Sequence, residues 1–240
     1  NTFQFDFEGV EIIEVRKTHA GNDGVECIQA VCPLGKKLVG GGGDFNAVYV
    51  TEDAPRPGLE SWGICGIASE SSQWMVQAIC VDADLDVTRS SETHTISAVG
   101  SQECAQALCP EGSIALGGGY IESGSTAGAN RTSVGGWTAC AQGNEEGSTI
   151  TATTICADSR MIDIANQDGE RITTKERPEE CIQKECREGW RIASGSRAWV
   201  GGLTITKSMA IDEHTWEMCG VAPEEGESKW TLEVTCLPDP

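Results

Sequence analysis

Apolar and polar positions alternate with period two in short runs along this chain, and turn residues separate the runs. The clearest runs are Gln73-Trp-Met-Val-Gln-Ala-Ile-Cys-Val, Ser148-Thr-Ile-Thr-Ala-Thr-Thr-Ile-Cys and Lys229-Trp-Thr-Leu-Glu-Val-Thr-Cys. Each is rich in β-branched and aromatic residues, and turn signals recur every 8–12 residues or so, which predicts an all-β chain. Helical periodicity is almost absent. Trp74, Ile150 and Trp230 each stand six residues before a cysteine, on the same strand face. Tryptophan stripes serve sugar stacking in some proteins. At a shared place beside cysteines they read as core, because aromatics dominate core burial.

The runs belong to a repeat. Cys27-Ile-Gln-Ala-Val-Cys-Pro-Leu-Gly, leading to Gly40-Gly-Gly, returns as Cys104-Ala-Gln-Ala-Leu-Cys-Pro-Glu-Gly, leading to Gly117-Gly-Gly. It returns again, worn down, from Cys181 to Ser196, and the opening cysteines are 77 residues apart both times. A fixed period means repeated supersecondary units. Val10, Val87 and Ile164 fall in register 17 residues before those cysteines. The chain therefore divides into an N-terminal strand extension (1–9), repeat one (10–86), repeat two (87–163) and a degenerate repeat three (164–240), with four to five strands expected in each. In the extension, Phe3, Phe5 and Phe7 alternate with polar neighbours, as in a half-buried strand. Such a strand either pairs within its own chain or adds to the sheet edge of a neighbour.

Only Gly41, Gly118 and Gly195 of the glycine triplets survive in all three copies. Glycine is needed where φ is positive or where another group approaches too closely for a Cβ. The central glycine is thus expected to be the constrained one, and Gly43 the tolerant one. A phosphate-cradling loop would need a following Gly-Lys-Ser/Thr and a helix, and neither is present.

Twelve cysteines, four per repeat in matching places, imply a disulfide framework in an oxidising compartment. Zinc sites want closely spaced Cys or His ligands, whereas no Cys-x-x-Cys pair exists and the histidines are His19, His94 and His214 alone. The start at Asn1, without methionine, suits a secreted chain after signal removal. No apolar run approaches the length of a membrane span. A net charge of -20 disfavours nucleic acid and anionic membranes and leaves room for cations or basic partners.

The pattern Cys-Pro-x-Gly-x4-Gly-Gly-Gly, then Trp-x-x-Cys, then a strand ending Ile-Cys, resembles a β-repeat family of secreted bacterial and phage tail-associated proteins. The match runs over Cys27–Val81 and Cys104–Ala157, and thinly over Cys181–Leu237, where Arg187 replaces the proline and Ser194 and Ser196 replace glycines. The resemblance implies a bridge from the Cys-Pro cysteine to the last strand: Cys32–Cys80, Cys109–Cys156 and Cys186–Cys236. The remaining pairs would be Cys27–Cys65, Cys104–Cys140 and Cys181–Cys219; four cysteines per unit allow three connectivities. More loosely, the repeats are similar to the vitelline membrane outer-layer proteins, which are three-sheet β-prisms. With no flexible linker between units, close packing is expected, either β-prism-like or as stacked small sheets.

Chemistry is sparse. His-Glu-x-x-His and Gly-x-Ser-x-Gly are absent, and the three histidines share no repeat position. Paired acids such as Glu179-Glu180 and Glu224-Glu225 read as solvated charge. Asp82, Asp84 and Asp86 alternate as calcium ligands do, but Val87 and Thr93 stand where an EF-hand needs Gly and Glu. Calcium is the one metal or cofactor this pattern suggests. Asn130-Arg131-Thr132 is a sequon, a glycan acceptor in a eukaryotic source.

The leading expectation is a secreted, non-catalytic structural or adhesive protein that self-associates or joins an extracellular matrix or cell surface. A lectin-like carbohydrate-binding module is the alternative, using the equivalent loops 44–59, 121–136 and 198–215. An extracellular hydrolase comes third, since no acid, base and nucleophile arrangement can be named.

Overall fold

The structure is a computed structural model that describes the chain apart from residues 1–8, 22–23, 46–47, 59, 69, 83–84, 134, 160–164, 175–178, 201–202, 222–226 and 239–240. Phe3, Phe5 and Phe7 therefore lie outside the described residues, as does Asp84. Repeat one forms β1 (Val10–His19), β2 (Glu26–Val31), β3 (Lys37–Asp44), β4 (Tyr49–Pro55), β5 (Ser61–Ile67) and β6 (Ser72–Val81). Repeat two forms β7 (Val87–Thr95), β8 (Gln102–Leu108), β9 (Ser113–Ser123), β10 (Ser125–Ser133), β11 (Gly136–Gly143) and β12 (Thr149–Asp158). Repeat three forms β13 (Ala165–Thr174), β14 (Glu179–Glu185), β15 (Trp190–Val200), β16 (Thr204–Ala210), β17 (Thr215–Val221) and β18 (Glu227–Pro238). Each repeat thus has six strands rather than the four or five expected, because the turn-rich stretch after the glycines is itself a hairpin.

These strands make three six-stranded sheets, and no sheet belongs to one repeat. Wall one runs β1-β6-β3-β16-β17-β14, wall two β2-β5-β4-β9-β12-β7 and wall three β13-β18-β15-β10-β11-β8. Every repeat gives three strands to one wall and three to the next, so the units interlock and do not stack as beads. The joints are short. Asp44 and Gly43 pair with Lys207 and Ser208, Glu52 and Asp53 with Ile121 and Tyr120, and Ala129 and Asn130 with Ala198 and Arg197. The edge strands meet at three corners, β1 against β2, β7 against β8 and β13 against β14. Corner contact shields edges that would otherwise template pairing with other chains. Lys17–Glu26 at 2.6 Å and His94–Glu103 at 2.5 Å span two of these corners.

The central strands β3, β9 and β15 touch along the middle of this three-walled prism. Each carries a bulge at the same repeat position, Val39, Leu116 and Ala193, all fully buried. An extra residue there bends the strand and turns its side chain into the shared core. The residue after each bulge is Gly40, Gly117 or Ser194. A Cβ on Gly117 would crowd Val39 O, Ser194 Cβ and Gly40 Cα, so the three backbones meet where side chains barely fit. Ser194 is accommodated by donating its hydroxyl to Leu116 O at 2.6 Å.

The central glycines do not have positive φ. Their constraint is packing: a Cβ on Gly41, Gly118 or Gly195 would overlap the indole of Trp62, Trp137 or Trp216, which reaches over from the adjacent wall. Gly43 is no freer, because its Cβ would strike Met75 O and Ile64, so the expected contrast within the triplet is not there. The Trp-x-x-Cys tryptophans are at most 1% exposed, and Trp74 and Trp230 at most 2%, which makes both sets core and leaves none as a sugar platform.

Six disulfides staple the walls, in two kinds. Cys27–Cys65, Cys104–Cys140 and Cys181–Cys219 join residues directly opposite each other on neighbouring strands of one wall. Cys32–Cys80, Cys109–Cys156 and Cys186–Cys236 join two different walls beside a corner. No cysteine is free. A framework of this density belongs to an oxidising compartment. Among the described residues, no helix is long and apolar enough to cross a membrane.

Candidate functional site

The strands β3, β9 and β15 all run toward the same end of the prism, where they hand over to β4, β10 and β16. The three segments picked out from the sequence, 44–59, 121–136 and 198–215, therefore begin at one end, and the rest of each is mostly the strand β4, β10 or β16, which runs back along the walls. Just below that end, each Trp-x-x-Cys indole donates to a polar residue of the preceding strand. Trp62 Nε1 donates to Asp53 Oδ1 at 2.7 Å, Trp137 to Asn130, and Trp216 to Ser208 Oγ at 3.2 Å. A buried indole N–H needs such a partner.

Of these three acceptors only Asp53 is ionisable, and it meets a charge from the far repeat. Arg197 Nη2 donates to Asp53 Oδ2 at 3.0 Å, with both side chains at most 4% exposed. Burial pushes the Asp53 carboxyl up, and Arg197 and the Trp62 N–H pull against it. The guanidinium also sits 5.6 Å from the ring centre of Phe45 and 5.9 Å from that of Tyr120. Together with Leu203 and Ile205 these residues line a cavity of about 100 Å³ on the prism's middle line. That is below the range of small-molecule sites, about 300–1,000 Å³, and suits a few water molecules.

Beside it, between β4 and the β9–β10 turn, a cleft of about 630 Å³ opens at the surface. Its floor carries Glu122, only 7% exposed. The Tyr49 hydroxyl donates to Glu122 Oε1 at 2.5 Å and lies 3.0 Å from Ser125 O, and the Ala127 amide donates to Oε2 at 2.6 Å. Burial outweighs those donors and pushes Glu122 up to about 7. Tyr49 is itself pushed up, by burial first and by Glu122 second. Glu52, also at the cleft, is pushed up by burial against the pull of Arg56, whose guanidinium is 2.9 Å away.

The other sequence candidates are dispersed. Asp82 binds Lys36 at 2.9 Å, a lysine that also takes Glu11 at 2.9 Å, and Asp86 is exposed. The expected calcium set Asp82, Asp84 and Asp86 thus has one member committed to an ammonium and one outside the described residues. Among the described residues, Cys181, Glu217 and Cys219 come close enough to share an ion, but the two sulfurs are bonded to each other. The sequon fails as a glycan site on steric grounds: Asn130 is 3% exposed, lies mid-strand in β10, and its side-chain oxygen accepts the Trp137 indole.

Nor do the histidines assemble a catalytic set. His19 is fully buried, accepts the Gly21 amide at Nδ1 and meets Trp74 edge-on. His94 bonds Glu103, which Ser97 and Ser101 also hydrogen-bond, so the carboxylate and not the imidazole is central there. Those donors hold Glu103 down at about 2. His214 Nδ1 bonds Trp190 O at 2.8 Å. Glu179 accepts Thr206 at 3.0 Å, and Glu224 and Glu225 lie outside the described residues.

Tyr49, Asp53, Glu122 and Arg197 were not singled out by sequence reasoning. A signal existed for one: Arg197 occupies the repeat position of Gly43 and Tyr120, where a buried charge breaks the pattern. No known protein family matches this sequence, and no curated protein matches it.

Proposed function

We propose that this is a secreted, non-catalytic structural or adhesive protein that makes contact through one end of its prism. The observation that supports this is that the handovers from β3 to β4, β9 to β10 and β15 to β16, one per repeat and different in sequence, meet at a single end of a scaffold bridged twice in every repeat. Walls fixed by disulfides let loops of divergent sequence be held without a cost in ordering when a partner is met. The test is retention of labelled protein on native extracellular matrix and cell surfaces, alongside sedimentation at rising concentration. Retention or self-assembly, weakened by Thr126→Lys with Thr204→Lys on the end surface, is expected. A protein that stays monomeric and is retained nowhere overturns the reading.

A lectin-like module is the second reading, favoured by the polar rim of the cleft at Thr51, Thr126 and Asn144. Its volume of about 630 Å³ accommodates a sugar ring. Binding on a glycan array, lost on Asn144→Ala, would move this reading ahead of the first.

A further inference from the structure

We propose that the cleft between β4 and the β9–β10 turn binds an organic ammonium group, with Glu122 as its carboxylate partner and Tyr49 as its aromatic wall. Other acids at this end of the prism are neutralised by arginines. Asp53 has Arg197 at 3.0 Å and Glu52 has Arg56 at 2.9 Å. Glu122 is as buried as they are, yet the groups acting on it are the Tyr49 hydroxyl and the Ala127 amide, both uncharged. Among the described residues no cation pairs with it. A buried carboxylate without counter-charge is costly, and a cation entering from solvent relieves that cost.

The geometry leaves room for the cation. Each Glu122 oxygen accepts one hydrogen bond and keeps further acceptor capacity, since a carboxylate offers about four lone-pair sites. Tyr49 is 46% exposed while its hydroxyl is pinned by Glu122, so the ring stands fixed at the cleft wall. An aromatic face beside a carboxylate is the chemistry that recognises ammonium groups. Val25 and Ile67 line the same cleft and suit an alkyl chain behind the charge. A calcium ion would ask for six to eight oxygens, more than this floor supplies. The net charge of -20 concentrates cations around the protein without selecting among them.

The ligand is either a free alkylamine or the lysine side chain of a protein. n-Butylammonium is titrated into the full chain and followed by amide NMR, with n-butanol as the neutral analogue, in about 0.15 M salt where the Debye length is about 8 Å. Saturable shifts confined to Tyr49, Thr51, Thr126 and Asn144 are expected, with none from butanol. Glu122→Gln keeps the shape and an acceptor, and should weaken binding about tenfold or more. Tyr49→Leu should weaken it as well. A lysine tripeptide, compared with its all-alanine counterpart, identifies the source: tighter binding than butylammonium assigns a protein side chain, and weaker binding a free amine.

A second measurement needs no variant. The ionisable groups around Glu122 are Tyr49 and Glu52 on β4, Tyr120 on β9 and Glu145 against Gly124, with Arg56 committed to Glu52. Because Glu122 lies at about 7, ammonium binding at neutral pH should release protons, read by calorimetry in two buffers of different ionisation heat. Shifts spread over the whole surface, equal response to butanol, or unchanged affinity in Glu122→Gln with no proton release would each overturn the proposal.

Discussion

A Cβ on Gly41 would overlap the indole of Trp62, and the two residues stand on different walls of the prism. The same contact recurs between Gly118 and Trp137 and between Gly195 and Trp216. Each tryptophan is thus a wedge from one wall whose only resting place is the missing side chain of the next. Its N–H is then tied back to Asp53, Asn130 or Ser208. Packing and polar satisfaction are met by one residue, which explains why Trp and Gly persist even in the degenerate third repeat.

Gly41→Val and Gly118→Val should each destabilise the fold by about 1–3 kcal/mol or more, as overpacking does. Gly128→Thr is the control. Gly128 is the bulge residue of β10, its counterparts in the other repeats are Thr51 and Thr206, and a Cβ there meets only the end of Gln102 at 3.2 Å. Its effect should stay within about 0.5 kcal/mol. Equal denaturation midpoints for all three variants would refute the wedge.

The two kinds of bridge should behave differently. Cys27–Cys65 and Cys32–Cys80 close loops of 38 and 48 residues, so each should contribute about 2–4 kcal/mol by chain entropy alone. Only the second ties wall two to wall one. Replacing Cys32 and Cys80 by alanine should therefore speed hydrogen exchange along β1 and β2, whereas replacing Cys27 and Cys65 should confine the change to β2 and β5. Identical exchange maps would count against this division.

Much of the architecture was legible because it repeats. The 77-residue period, four cysteines per unit and period-two patterning are local in sequence and point to stapled all-β units. The exchange of half-repeats between walls was not legible, because pairs such as Asp53↔Tyr120 and Asn130↔Arg197 join different repeats and leave no spacing signature. The candidate cleft was less legible still. Glu122 becomes unusual only through burial, and an acid followed by Ser and Gly looks like any exposed turn. Asn130 misled for the same reason: a sequon carries no information about which face of a strand it occupies.

Mass spectrometry of the protein expressed in a glycosylating host should find Asn130 bare in the folded fraction. Attachment would need the Trp137 hydrogen bond broken and the strand opened. A glycan at Asn130 on a correctly bridged, native-like molecule would contradict the placement of β10.

Asp53→Asn removes the buried carboxylate that accepts from Arg197 Nη2 at 3.0 Å and should cost about 3–5 kcal/mol. Arg197→Gln should cost a similar amount from the other side. Because the partners share one interaction 144 residues apart in sequence, the double substitution should cost less than the sum of the singles by roughly 0.5–3 kcal/mol. Simple additivity in urea melts would mean that the pair is not coupled.

The pH dependence of stability isolates Glu122. Its carboxyl lies at about 7 in the folded protein against 4.5 ordinarily, so between those values the folded state holds a proton that the unfolded state has lost. Stability from this group is therefore greatest below the unfolded value and falls as pH rises through the window, by an amount on the order of 3 kcal/mol. Glu122→Gln cannot titrate. It should be more stable than the natural protein at about pH 8, where the charge is buried at full cost, and should lose that advantage near pH 4.5. Glu52 and Asp53 are pushed in the same direction, but they are present in both proteins and cancel in the difference. Urea denaturation of both proteins across that range reads the difference directly. A difference that stays flat with pH would mean that Glu122 is solvated as an ordinary surface acid, and the cleft floor would have to be redrawn.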